Sequence, residues 1–403
     1  MLARTLAAIA VSLLAAPAAA QAIPFNGRIA FSSDRAEQAA GVRRAFDIFS
    51  MNPDGTGLAQ LTQNPAGDRQ PDWSPDGADI AYTIDKPASA INFEVARMTA
   101  AGTGHRQITT TATGEASSQP SWLPDASAIL FRRSGPAGVG SIWQMGTLGE
   151  NPALRFATPG VPLYPSMSPD SRRVLFTAIL SPAGDTDRGI FTMNADGSGL
   201  VKLFDVPGAY DSAPAWSPDA SRIAFESDAD VAGANPEHDM EVWTMAADGS
   251  DPVQLTHNAL HDEGPAWSPD GRLLAYTSGP DNRHGDVHVM TAAGAELRTL
   301  TAYAGPDESP DWQAIPAPRT ARSCGDLVSS GRGGRDVRAT GRGLRCPQAR
   351  SLARRWVRAG RPAHVRGYRA TVADFGGLRR VVLRRGGARH RLLVAFLYQP
   401  AAS

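Results

Sequence analysis

Short apolar runs recur along this chain at regular intervals: Ile80-Ala81-Tyr82, Ile129-Leu130-Phe131, Val174-Leu175-Phe176, Ile223-Ala224-Phe225 and Leu274-Ala275-Tyr276. Runs rich in β-branched and aromatic residues, bounded by turn residues, predict strands. Each run follows a variant of one phrase: Pro71–Gly77, Pro120–Asp125, Pro165–Asp170, Pro214–Asp219 and Pro265–Gly271, all built on Pro-x-Trp-Ser-Pro-Asp-Gly. A sixth copy, Pro310-Asp311-Trp312, lacks the turn. In that turn Pro sets φ, Asp bonds its own backbone and Gly accepts φ > 0, so the phrase predicts a hairpin. With Met167 standing in once for Trp, the copies lie 49, 45, 49, 51 and 45 residues apart. Strand patterns inside a period of that length predict propeller blades.

A second strand pair follows in every period. Its first members include Asp47–Met51, Glu94–Met98, Ser141–Met145, Gly189–Met193, Glu241–Met245 and Asp286–Met290. Turns such as Asn52-Pro53-Asp54-Gly55 and returns such as Leu58–Thr62 complete four strands per unit. The chain enters the pattern at Gly27–Ser32, a second-strand sequence with no first strand before it. It leaves the pattern at Pro310-Asp311-Trp312, a first strand with no second after it. These two fragments complement each other, and they predict a closed ring of six blades spanning 24–316. The last first-strand completes the blade opened by residues 27–62, and closure removes the free sheet edges. The Trp, Phe and Tyr at fixed blade positions are expected between neighbouring blades, where burying an aromatic contributes a few kcal/mol.

Charge divides the chain. Residues 319–403 hold 20 arginines, no lysine and three acids, a net +17, whereas the part before them, without Arg4, has 19 basic residues against 37 acids, a net −18. An acidic propeller and a basic small domain (317–403) are therefore expected. At the start, residues 1–22 carry one Arg, an apolar run Leu6–Ala16 and then Ala18-Ala19-Ala20. That is the pattern of a secretory signal cleaved near Ala20 to Ala22, so the chain is expected to be secreted or to reside in the cell envelope. In the basic part, Ala349, Leu352, Ala353, Trp356 and Val357 fall on one helical face, and strands are expected at Asp336–Ala339, His364–Val372, Leu378–Arg384 and Arg391–Phe396. The two cysteines of the chain, Cys324 and Cys346, suggest a disulfide in an exported protein, because His364 and His390 supply too few further ligands for zinc.

The Trp-Ser-Pro-Asp-Gly turns, the Ile-Ala-Tyr/Phe strands after them and the Ile-Trp-x-Met hairpins with Asp-Gly turns resemble the propeller of the TolB family over about residues 24–316. The resemblance implies a six-bladed ring. Gly343–Arg350 and Gly367-Tyr368 are similar to a small cysteine-bearing domain appended to secreted actinobacterial proteins, a resemblance that carries no function.

Candidate chemistry concentrates opposite the uniform turns, on the face of the variable connections Ile84–Asn92, Ala178–Arg188, Asp228–Asp239 and Gly279–Gly285. An acid stands three residues before the blade Pro in four repeats, Asp68, Asp211, Asp262 and Asp307, and Glu263 and Glu308 double two of them. At the channel mouth they would capture a cation or a basic partner segment; the alternative is that each Asp caps its own turn. His257, His261 and His284 with Asp262 are the candidates for a divalent cation site, although none has a known ligand spacing; no organic cofactor is expected.

The chain contains no Gly-x-Ser-x-Gly elbow, P-loop or dinucleotide fingerprint. The expected function is a non-enzymatic, monomeric binding protein that takes a protein or peptide at the loop-bearing face, without nucleic acid. Two alternatives stand beside it. One is a metal-dependent extracellular carbohydrate-active lyase or hydrolase, and the other is attachment to an anionic cell-wall polymer through the Arg-rich domain.

Overall fold

The computed structural model describes residues 25–316, except 37–45, 65, 86–92, 136–139, 157, 159, 180–187, 232 and 282–283, together with strands between 327 and 397. The segment Met1–Ala22, both cysteines and the helix expected after Cys346 lie outside the described residues, as does most of the connections 84–92 and 178–188.

Six four-stranded antiparallel sheets make a closed β-propeller. Blade 1 is Asp68–Trp73, Asp79–Asp85, Phe93–Thr99 and Arg106–Gln107, from the channel outward. The innermost and second strands of the next four are Ala116–Trp122 and Ala128–Ser134, Val161–Met167 and Arg173–Ile179, Ser212–Trp216 and Arg222–Ser227, and His261–Trp267 and Leu273–Gly279. Blade 6 is composite: Asp307–Ile315 is innermost and pairs with Phe25–Ser33, which pairs with Asp47–Met51 and then Ala59–Gln60. The expected closure is thus realised, with Phe25 opposite Ile315 and Ile29 opposite Trp312.

Each of the six apolar clusters spans one seam between blades. Ala30 and Ile48 of blade 6 pack on Trp73, Ile80 and Tyr82 of blade 1, and Leu175 and Ile190 of blade 3 pack on Trp216, Phe225 and Trp243 of blade 4. Ala266, Ala275 and Val287 of blade 5 meet Ile29, Phe31 and Trp312 across the closing seam. Because the ring closes, every blade has both faces covered, which is why its strands carry near-continuous apolar runs. Closure is reinforced by polar contacts: Gln313 Oε1 accepts from Arg28 N at 3.1 Å, and Gln313 Nε2 donates to Gly77 O at 2.7 Å.

The Ser-Pro-Asp-Gly turns close as expected. Ser74 Oγ accepts from Asp79 N at 2.9 Å, and Gly77 adopts φ +68° where a Cβ would lie 2.2 Å from Ala314 O. In blades 2 to 4 that left-handed position is held by Ala126, Ser171 and Ala220, each with φ 59°.

Beyond the ring, Tyr368–Phe375, Leu378–Arg385 and Arg391–Leu397 pair antiparallel in one sheet; the single strand expected at His364–Val372 is instead split, with His364–Val365 folded back on Tyr368–Arg369 as a hairpin. Among the described residues no helix is long and apolar enough to cross a membrane.

Candidate functional site

The six innermost strands enclose a central channel with a cavity of about 350 Å³. Around its wall stand Gln70, Gln119, Tyr164, Ala213, Gly264 and Ser309, the residue before the blade Pro in each repeat. All six have positive φ, between 46° and 61°. Each sits at a bulge where the register between first and second strands shifts. A bulge leaves one backbone amide without a ladder partner, and in several seams the preceding blade supplies one. Gln70 N donates to Ser32 Oγ at 3.1 Å, Gln119 N to Thr83 Oγ1 at 3.0 Å, and Gly264 N to Glu226 Oε2 at 2.7 Å. Ser32, Thr83 and Glu226 occupy the same position, directly after the aromatic residue of the second strand, where blade 2 has Arg132. In blade 3 the arrangement differs: Tyr164 N donates to the Gln119 side chain at 3.1 Å.

Next along the inner strands, Asp72 Oδ2 accepts from Trp122 N at 2.8 Å and Asp311 Oδ2 from Trp73 N at 2.6 Å. Burial raises both carboxyl groups, Asp311 to about 7; the neighbouring Asp311 carboxylate also raises Asp72, which stands well above the usual carboxylate range. Sequence reasoning misses this pair because Pro-Asp-Trp reads as part of the repeat scaffold. The signal present was that only these two blades have an acid where the others carry Ser121, Ser166, Ala215 and Ala266.

Asp68, Asp211, Asp262 and Asp307 lie within one residue of the start of the inner strands, at the loop-bearing end, and all four are fully buried. Asn64 and Asn258 donate to Asp68 and Asp262 at 2.6 and 2.8 Å, Ser227 and Val206 N donate to Asp211, and Arg35 pairs with Asp307. Burial is the main cause that lifts Asp68 and Asp211 to about 7 and raises Asp262 and Asp307. Glu263 and Glu308 differ, with side chains 34% and 35% exposed at the rim. Glu308 is raised to about 7 by burial against the pull of Arg69, whose guanidinium stands 3.6 Å from it and stacks on Phe46. Glu226, buried beside Glu263, is raised to about 8 by desolvation first and the Glu263 charge second.

The histidines do not converge. His261 lies 3.9 Å from Glu263, His284 bonds Asp281 at 2.8 Å, and His257 is exposed. Among the described residues no three His, Cys, Asp or Glu side chains are arranged to hold a metal ion.

Blades 2 and 3 bring basic groups to the same end of the ring. Arg132 and Arg188 lie on blades 2 and 3 near Tyr164, and Arg188 stacks 3.7 Å over the Tyr210 ring. The mouth therefore presents acids from blades 5 and 6 and guanidinium groups from blades 2 and 3.

Residues 147–312 match the family model of the TolB beta propeller domain. This part of the ring carries the TolB-type propeller repeat. TolB from Acinetobacter baumannii has the same fold, with a TM-score of 0.58 at 21% identity over 71% of this chain and 66% of that one. The uncharacterised protein Atu1656 of Agrobacterium fabrum is 24% identical over 285 residues, 67% of this chain and 89% of its own length. The uncharacterised peptidase YuxL of Bacillus subtilis is 29% identical over 106 residues, 25% of this chain; that match spans only 16% of YuxL. A TolB-like propeller fits a role in protein interaction.

Proposed function

We propose that this protein is an exported, non-enzymatic interaction protein that holds a protein or peptide partner at the loop-bearing mouth of its propeller channel. The observation that carries the reading is the uneven charge of that mouth. Glu263 and Glu308 are partly exposed on blades 5 and 6, and Arg132 and Arg188 stand on blades 2 and 3 beside Tyr164, which also lines the cavity. Complementary charge at a rim raises association rates and fixes the register of a partner. The buried aspartates beneath the rim hold the connections from which it is built. Residues 1–22 support export.

The test is site-directed photo-cross-linking of the full chain in an extract of its own source. A cross-linking residue at position 308 is expected to trap a discrete partner, and one at Asp196, in an outer turn on the opposite face, is expected to trap none. Combined Glu263→Gln and Glu308→Gln substitution should cut the yield at a neighbouring rim position by about fivefold or more, since rim charges act mainly on association. Equal cross-linking at both faces would overturn the reading.

A further inference from the structure

Among the described residues, two arginines near Tyr164 each have an Nε without a hydrogen-bond partner. Arg132 occupies the position at which Ser32, Thr83 and Glu226 accept the bulge amide of the next blade. In its seam that amide, Tyr164 N, is taken instead by Gln119 Oε1, so Arg132 has no latch to make. Arg188 opens the third strand of blade 3 at the same end of the ring. Its guanidinium plane rests 3.7 Å over Tyr210, which leaves the edge of the fork free to donate. The Nε atoms of both arginines are buried without a hydrogen-bond partner, and neither side chain makes an ion pair among the described residues. The two positive charges are near enough to act on each other, with the Tyr164 phenol beside them.

A guanidinium Nε buried without an acceptor is costly, and two like charges close enough to repel add to that cost. The arrangement is what an incoming planar anion needs, because Arg forks bind carboxylates in two parallel hydrogen bonds. The surroundings select the anion. Glu226 and Glu263 lie close by, so a doubly charged phosphate meets acids that a single carboxylate tolerates better. Further round the rim, Glu308 offers an acceptor to amide or ammonium groups of the same ligand.

We infer that Arg132 and Arg188, with Tyr164, form a carboxylate-binding subsite that takes an acidic side chain or the free C-terminus of a peptide entering the channel mouth. The inference rests on the proposal that the partner binds at this mouth, and it specifies the chemistry of the end it inserts.

The experiment uses the full chain and three N-terminally fluorescein-labelled hexapeptides of Gly and Ser, read by fluorescence polarisation. One has a free C-terminus, one carries a central Asp with an amidated end, and one is neutral and amidated. The first or the second is expected to bind at least tenfold more tightly than the third, and which of them does so identifies the carboxylate source. Arg132→Gln and Arg188→Gln should each weaken that peptide about tenfold, while Arg188→Lys retains part of the affinity. Equal binding of all three peptides, unchanged binding in the double Gln variant, or displacement by inorganic phosphate more readily than by acetate would each overturn the inference.

A measurement on the unmutated protein guards against misfolded variants. Acetate titration should shift two arginine Nε–H resonances, and no shift would count against the subsite. Partner cross-linking at position 308 that survives the Arg substitutions would sink the subsite alone, whereas its absence in the unmutated protein would sink the interaction reading.

Discussion

At the scale of single residues, two positions show how the repeat tolerates imperfection. Ala126 and Ala220 stand at φ 59° in turns where Gly77 and Gly271 fill the same place. A Cβ in the left-handed region costs about 1–2 kcal/mol, partly offset by the chain entropy a glycine adds to the unfolded state. Ala126→Gly and Ala220→Gly are therefore expected to stabilise the ring by about 0.5–1 kcal/mol each, seen as a higher urea midpoint at unchanged slope. Thr83 behaves oppositely. Its hydroxyl donates to Gln70 Oε1 at 3.1 Å and accepts from Gln119 N at 3.0 Å, so it joins two blades through one oxygen. Thr83→Val keeps the shape and leaves both groups without that partner, which should cost about 1–3 kcal/mol in the same measurement.

At the scale of elements, the decisive strand is Asp307–Ile315. It is the innermost strand of a blade whose other three strands come from the opposite end of the ring sequence. Trp312, Asp311 and Gln313 join it to the apolar seam with blade 5, the backbone of Trp73 and the turn at Gly77. A chain ending at residue 306 loses all of these contacts and exposes the edge of Phe25–Ser33. Circular dichroism of that truncation is expected to show a broad, non-cooperative thermal transition, and a sharp transition at the full-length temperature would contradict this account of closure. The element-level plan was legible in advance, because the orphan second strand at Gly27–Ser32 and the orphan first strand at Pro310–Trp312 are visible as gaps in a period.

At the scale of the molecule, carboxyl groups in several blades share one property. Burial holds Asp68, Asp211, Asp311 and Glu308 up near 7 in the folded ring, whereas the same groups titrate near about 4 when unfolded. Between those values the folded chain binds more protons than the unfolded one, so stability falls as pH rises. The contribution of these groups is fully present below about pH 4 and is lost as pH rises through about 7. The melting temperature should accordingly be higher at pH 5 than at pH 8. Asp68→Asn combined with Asp211→Asn should flatten that dependence, and an unchanged slope in the double variant would assign the effect to other groups. Such groups are scattered over blades 1, 4 and 6, so the dependence belongs to the ring rather than to any one blade.

By itself the sequence determined the number of blades, the strand count in each, the closing strand and the face that carries the variable connections. All of these follow from short-range periodicity and turn chemistry, which act over a few residues and repeat along the chain. The tertiary structure decided the site. The bulges at Gln70, Gln119 and Gly264, the pairing of Asp72 with the next blade and the Glu226 latch join residues 36 to 50 positions apart. The convergence of Arg132 and Arg188 beside Tyr164 likewise appears only once blades 2 and 3 are packed side by side. Contacts across a seam depend on how two blades meet around the axis, and that geometry leaves no periodic trace in the chain.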